Sequence, residues 1–215
     1  MKVGIIGGTG KEGAGLGRRW ALAGHEIVIG SRDPERATAK AAELRERSDT
    51  IAITGASNRE AAGLAEIVVL AVPWTGLAQT LPELREPCRG KTVVSTVVPL
   101  TFGGPRLFTP PAAGSAAEEA QALLGSEARV VAAFHHIAAH ELAETAHAIE
   151  CDLLLCGGDA KAKGQVTALA ESLGLRAIDV GALSNAGPLE GITAVLATIN
   201  RRYKVKNSGI RITGV

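Results

Sequence analysis

The chain has 215 residues, 46% of them hydrophobic and 21% charged, with a formal net charge of +1. That length buries a substantial core without extra staples and suits one domain, or one domain with a small appendage. The near-neutral balance gives no electrostatic case for nucleic acid or an anionic membrane as a main partner, and no apolar run reaches the ~18 residues of a membrane span. Three cysteines with no C-x-x-C pair argue against a disulfide framework or a structural zinc and suit a reducing cytoplasm.

The chain opens directly on a strand, Val3 to Ile6, and shows no signal peptide. A helix from Gly13 to Ala23 follows, with Leu16, Trp20 and Ala23 on one face and Gly24 as its C-terminal glycine. The second strand is Glu26 to Gly30. Asp33 as N-cap and Pro34 at the first helical position start another helix, with Ala37, Ala41 and Leu44 facing inward. Ile51 to Ile53 reads as a short third strand. Ser57 and Glu60 fit a capping box that opens the next helix. Ile67 to Val72, stopped by Pro73, is the fourth strand, Thr92 to Val98 the fifth and Val130 to Phe134 the sixth. The proline- and glycine-rich stretch from Pro99 to Gly114 is a long loop, either a cover over a site or a surface excursion. Beyond it come an apolar run at Leu153 to Cys156, a helix around Gln165 to Leu173, and a strand at Ala177 to Val180. An apolar helix from Leu189 to Ile199 follows, with Ser184 and Asn185 as capping candidates. The tail from Arg201 is basic, and a solvated surface is its simplest account. Strands alternating with helices predict an α/β fold: a doubly wound, Rossmann-type, mainly parallel sheet. The expected division is an NADP-binding domain over 1–182 and a small, mostly helical segment over 183–215.

The first strand runs straight into Gly7-Gly8-Thr9-Gly10-Lys11-Glu12-Gly13, in which Gly8, Gly10 and Gly13 match G-x-G-x-x-G. One glycine permits a tight turn, the next lets the backbone approach a pyrophosphate, and the third lets helix and strand pack closely. The helix N-terminus then offers free N–H groups to the anion. Strand, loop and helix in that order are the context that makes the pattern a dinucleotide site. An NAD site places an acid at the end of the second strand, to accept from the ribose 2′-hydroxyl. Here the chain reads Gly30-Ser31-Arg32. A hydroxyl and a guanidinium suit a 2′-phosphate, with Arg36 or Lys11 adding charge, so NADP(H) is expected over NAD(H). Asp33, beside Arg32, leaves open that Arg32 is only a solvated residue near a helix start. Val72, Pro73 and Trp74 fall at a strand end, where the nicotinamide half should lie. Trp74 is there either as a stacking surface or as rim packing.

With these residues placed, the chain resembles the NADPH-dependent reductases of the deazaflavin coenzyme F-420. The likeness rests on G-G-T-G at 7–10, G-H-E-I-V with G-S-R over 24–32, I-T-G at 53–55 and P-W at 73–74. It continues through His-x-Ile-x-Ala at 135–139, Cys156-Gly157, Leu183-Ser184-Asn185 and Gly209-Ile210. The resemblance implies that Thr9, Ser31 and Arg32 serve NADP. It also implies that His135, Ile137 and Thr193 lie near the deazaflavin. Two positions depart from the family's habit: Ala138 where proline is frequent, and Gly191 where serine is.

Hydride transfer between two such rings asks little of side chains, since both cofactors supply their own reactive atoms. The protein must stack them at ~3–3.5 Å and exclude water. Neither a Ser/His/Asp triad nor paired carboxylates stand out. His135 is the expected catalytic group, polarising the reduced ring, with a satisfied strand-end histidine as its bland account. His136 and His140, four apart, would be a metal pair only with a third ligand, and none is spaced for it, so no metal is expected. Cys156 reads as core. The helix from Leu189 to Ile199 suggests a homodimer face. Competing readings are an NADPH-dependent flavin or ferric reductase, a reductase of a small imine or keto acid, and a non-catalytic NADPH sensor.

Overall fold

A computed structural model describes residues 1–46 and 50–215. Eight strands form one sheet in the order β3-β2-β1-β4-β5-β6-β7-β8. They are β1 (Lys2–Ile6), β2 (Glu26–Ser31), β3 (Ile53–Ser57), β4 (Ile67–Leu70), β5 (Thr92–Ser95), β6 (Arg129–Ala132), β7 (Asp152–Gly157) and β8 (Arg176–Asp179). All neighbours pair in parallel except β6 and β7, which are antiparallel. The helices are α1 (Lys11–Leu22), α2 (Pro34–Arg45), α3 (Asn58–Leu64), α4 (Leu77–Thr80), α5 (Ala116–Leu124), α6 (Ala139–Ala143), α7 (Ala160–Glu171) and α8 (Ala186–Tyr203). None among the described residues is long and apolar enough to cross a membrane.

Because side chains alternate along a strand, a sheet covered on both faces needs apolar residues at successive positions. Val3, Ile5, Ile27, Ile29, Val69, Val94 and Val131 face a core shared with Leu16 and Trp20 of α1, Ala37 and Ala41 of α2, and Val166 and Leu169 of α7. Ile6, Val28, Val68, Leu70, Val93 and Cys156 face a second core with Ala61 of α3, Leu77 of α4, Ala117 and Ala120 of α5, and Leu189 of α8. Trp20 and Phe134 meet edge to face with ring centroids 5.2 Å apart.

Several local expectations hold. The Asp33 carboxylate accepts from the N–H groups of Glu35 and Arg36. The Ser57–Glu60 capping box is complete. Gly24 takes φ +87° just past α1. Other boundaries move, for tertiary reasons. The third strand is Ile53–Ser57, not Ile51–Ile53, because β2 continues to Ser31 and β3 pairs with it to the end. The fourth and fifth strands stop at Leu70 and Ser95, before Val72 and Val98, where the ladders on either side run out. The sixth stops at Ala132, and Phe134, at φ +65°, turns the chain away. Ala23 is exposed; Ala21 is buried on α1 instead. Asn185 stands at the start of α8 without capping it, since its amide donates to the Val180 carbonyl. Ser115 caps α5, a helix the sequence reading does not place, although Ser115 and Glu118 have the spacing of a capping box.

Arg19 ties the α6 region to α1: its guanidinium donates to the carbonyls of Glu141, Leu142, Glu144 and His147. The tail returns to the sheet at Asp152. The Asp152 N–H donates to Ile210 O at 2.8 Å, and its carboxylate accepts from Arg176 and from the N–H of Ile212 at 2.6 Å. Arg201, Arg202, Lys204 and Lys206 are exposed.

Strand β3 and α2 approach closely at Gly55, where a Cβ would lie 2.3 Å from Thr38 N and 2.4 Å from Ala37 C. Both are backbone atoms and cannot swing aside. Gly55→Ala should therefore lower the urea midpoint, by about 1–3 kcal/mol of stability if the helix is pushed off the strand, with the far-ultraviolet circular dichroism of the folded state retained.

Candidate functional site

The turn from β1 to α1 is held by two backbone carbonyls and one side-chain amide oxygen. The N–H of Gly8 is shared between the carbonyls of Ile5, at 3.1 Å, and Gly30, at 3.0 Å. The N–H of Gly7, at φ +74°, donates to Asn58 Oδ1 at 3.2 Å. A Cβ at Gly8 would stand 2.9 Å from Ile5 O, and one at Gly13 would stand 2.8 Å from Gly8 Cα and 3.1 Å from the Ala71 side chain. Gly8 and Gly13 thus serve the turn and the closeness of helix to sheet. Gly10 differs: the nearest protein atom to a Cβ there is 3.5 Å away, so the protein itself does not demand glycine. Its bareness matters toward the cleft. Gly10 is also the N-cap of α1 and supplies no side-chain cap, which leaves first-turn N–H groups free for an anion.

These groups open into a cleft of about 870 Å³ above the carboxyl ends of the strands. Of the residues expected from sequence, Thr9, Gly10, Lys11, Glu12, Ser31, Arg32, Arg36, Val72, Pro73, Trp74, His135 and Thr193 line it. Gly8 and Gly13 lie beneath it as scaffold. Ile137 does not join them. The turn at Phe134, closed by a bond from Ile137 N–H to Phe134 O, sends Ile137 into the core under α1 and to the edge of a separate hollow with His136 and Cys151. Asn58, Thr75, Gln79, Thr96, Val97 and Leu100 line the cleft without having been singled out. Two of these carried a sequence signal: Asn58, as the residue following the Ser57 cap, and Leu100, within the 99–114 loop read as a candidate cover.

At the β2 end, Ser31 is buried and its Oγ accepts from Asp33 N–H at 3.2 Å, so its own proton is free to face the cleft. Asp33 is spent capping α2. Arg32 and Arg36 are exposed, and neither joins an ion pair among the described residues. A hydroxyl and two uncommitted guanidinium groups thus stand where an NAD site would place a carboxylate. Trp74 is fixed by a hydrogen bond from Nε1 to Glu119 at 2.8 Å and packs on the second core while lining the cleft. Leu100 and Phe108 bridge, closing the loop after β5 into a short hairpin that brings Leu100 to the cleft.

His135 is buried; its ring lies near the backbone of Ala133 and Leu189, but neither ring nitrogen makes a well-formed hydrogen bond. Burial, with His136 adding repulsion, pushes its pKa down to about 3. It is a neutral ring at any physiological pH, able to accept at one nitrogen and donate at the other. Its backbone carbonyl accepts from the Thr193 hydroxyl at 3.1 Å, which joins α8 to this wall. His136 turns the other way, with Nε2 3.1 Å from Asp152 O. Cys156 is fully buried, and burial pushes its thiol up to about 12.

The comparisons with known proteins agree with this geometry. The family model of coenzyme F420-dependent NADP oxidoreductases matches residues 2–99. The F420-dependent NADP reductase of Methanothermobacter thermautotrophicus is 40% identical over 222 residues, covering 100% of this chain and 96% of its own. The chain belongs to the F420-dependent NADP reductase family. A crystal structure from Arthrobacter sp. FB24, assigned to the same activity, superposes with a TM-score of 0.85 at 27% identity, with all of both chains covered. The pyrroline carboxylate reductase of Plasmodium falciparum shares the fold at a TM-score of 0.57 and 17% identity, over 95% of this chain and 70% of that one.

A histidine held neutral by burial makes stability depend on acid. The unfolded chain takes up a proton near pH 6.5 and the folded one only near 3. Stability from this group is therefore complete above pH 6.5 and is lost as pH falls through that window. His136, lowered in the same way, adds to the slope. Urea midpoints should fall from pH 6.5 downward, and His135→Gln should flatten that fall by about 1 kcal/mol per pH unit where the two states differ by one proton. An unchanged slope in the variant would show that His135 is accessible and charged.

Proposed function

We propose that this protein transfers a hydride between NADP(H) and the deazaflavin coenzyme F-420. The single observation that carries the proposal is the cleft itself. A bare-backbone turn and uncapped helix start sit at one end with Ser31, Arg32 and Arg36, and a neutral, unpartnered histidine sits at the other, in a chain 40% identical throughout to an F420-dependent NADP reductase. The first-turn N–H groups of α1 fit a diphosphate, and Ser31, Arg32 and Arg36 fit the 2′-phosphate. Between them the two bound ring systems supply the hydride donor and the acceptor carbon. The protein's own residues orient and dry the site. Val72 and Pro73 form a rigid wall, Trp74 and Leu100 cover the opening, and Thr193 holds the His135 segment. His135, the catalytic group of this reading, gives a neutral N–H to the ring carbonyl region where negative charge gathers in the reduced deazaflavin. Residues 1–182 form the NADP-binding unit and 183–215 complete the deazaflavin side. The exposed apolar residues of α8, including Val195, belong to a homodimer face, and the protein works in the cytoplasm.

Purified protein given NADPH should bleach deazaflavin absorbance and leave FMN, FAD and keto acids unreduced; turnover only with a flavin, or only with NADH, would overturn the assignment. Arg32→Ala combined with Arg36→Ala should weaken NADPH binding by about 10–100-fold, the loss of one or two charge-assisted hydrogen bonds. NADH binding should be unaffected, which a fluorescence titration of both nucleotides checks.

A further inference from the structure

Glu12 has no task in the scheme above. It is the second residue of α1, within the turn that receives the diphosphate, and it lines the cleft. The residue is half-buried, and its Oε1 is buried with no hydrogen-bond partner. The polar neighbour it meets is Thr96, just past β5. Contact with the Thr96 hydroxyl, which also lies 2.9 Å from Leu70 O, favours the carboxylate, but less than burial of the bare Oε1 favours the neutral acid.

Resting on the cofactor assignment above, we propose that Glu12 is a proton-linked residue of the cofactor cleft: NADPH is bound with the Glu12 carboxyl protonated, and ionisation of that carboxyl opposes binding. The charged and titratable groups that share the cleft are Lys11 on the same turn, Arg32, Asp33 and Arg36 at the β2–α2 junction, and His135 after β6. Helix α6, packed against α1, carries His140 and Glu141. Burial, not any of these charges, pushes the carboxyl up to about 8. The free N–H groups at the start of α1 pull toward the carboxylate. A bound diphosphate takes those N–H groups and adds negative charge beside them. Both changes strengthen the hold of Glu12 on its proton, so protonation and binding reinforce each other.

The dissociation constant for NADPH should be flat from pH 7 to about 8 and then rise, approaching tenfold per pH unit at full coupling. Calorimetry at pH 8.5 in two buffers of different ionisation enthalpy should show proton uptake on binding. The 2′-phosphate titrates near pH ~6, below this window. Glu12→Gln should abolish both the rise and the uptake. Glu12→Leu, which removes the ionisation with an apolar group of similar reach, should share the flat profile and covers the case in which the amide packs badly. Tight binding with no pH dependence in the native protein, or a rise that both variants retain, would overturn the proposal. Absence of NADPH binding at every pH would instead bring down the cofactor assignment, and this proposal with it.

Discussion

The close approach of α1 to the sheet is the constraint from which the rest follows. Three hydrogen bonds meet at the β1 turn: the Gly8 N–H reaches the Ile5 and Gly30 carbonyls, and the Gly7 N–H donates to the Asn58 side chain. None of this tolerates a side chain at Gly8 or Gly13. Because helix and strand touch through glycine, the start of α1 is placed at the carboxyl edge of the sheet with its N–H groups pointing out. Strand β3 pairs with β2 to the Ser31–Ser57 end, so that Ser31 and Asn58, at the start of α3, reach the same rim.

Dryness is the second theme. Two polar groups of the cleft are buried and short of partners within the protein: neither nitrogen of His135, at the inner end, makes a well-formed hydrogen bond, and Glu12, in the turn at the phosphate end, has one oxygen bare. Such groups destabilise the empty fold unless they are neutral, and burial keeps them so: the histidine loses its proton and the carboxyl keeps its own. The cleft therefore holds its fixed positive charge at the phosphate end, in Arg32, Arg36 and Lys11, and stays uncharged where a hydride would move. That separation suits chemistry in which the reactants carry the electrons and the protein supplies position and exclusion of water.

Closing the cleft depends on parts distant in sequence. Strand β7 runs against its neighbour β6, and α8 then returns toward the carboxyl edge, where Thr193 bonds the His135 carbonyl. Buried Glu190 on the same helix accepts from the N–H groups of Ala116 and Ala117, capping α5. That fixes the helix whose Glu119 holds Trp74. One helix thereby positions both the inner wall and the outer rim.

The sequence by itself determined the β1–α1 turn, the caps at Asp33 and Ser57, the alternation of strands and helices, and the missing acid after β2. These are local: each depends on a few adjacent residues whose conformational or hydrogen-bonding needs are met within one turn. The family likeness was legible for the same reason, through short strings such as Gly30-Ser31-Arg32. Only the tertiary structure decided where strands ended, since Val72, Val98 and Phe134 are as β-prone as their neighbours and simply lack a partner strand. It alone separated Ile137 from His135, by one left-handed residue at Phe134. It alone brought Asn58 and Thr96 to the cleft and buried one oxygen of Glu12. Side-chain environment is a sum over contacts distant along the chain, and no window of adjacent residues contains it.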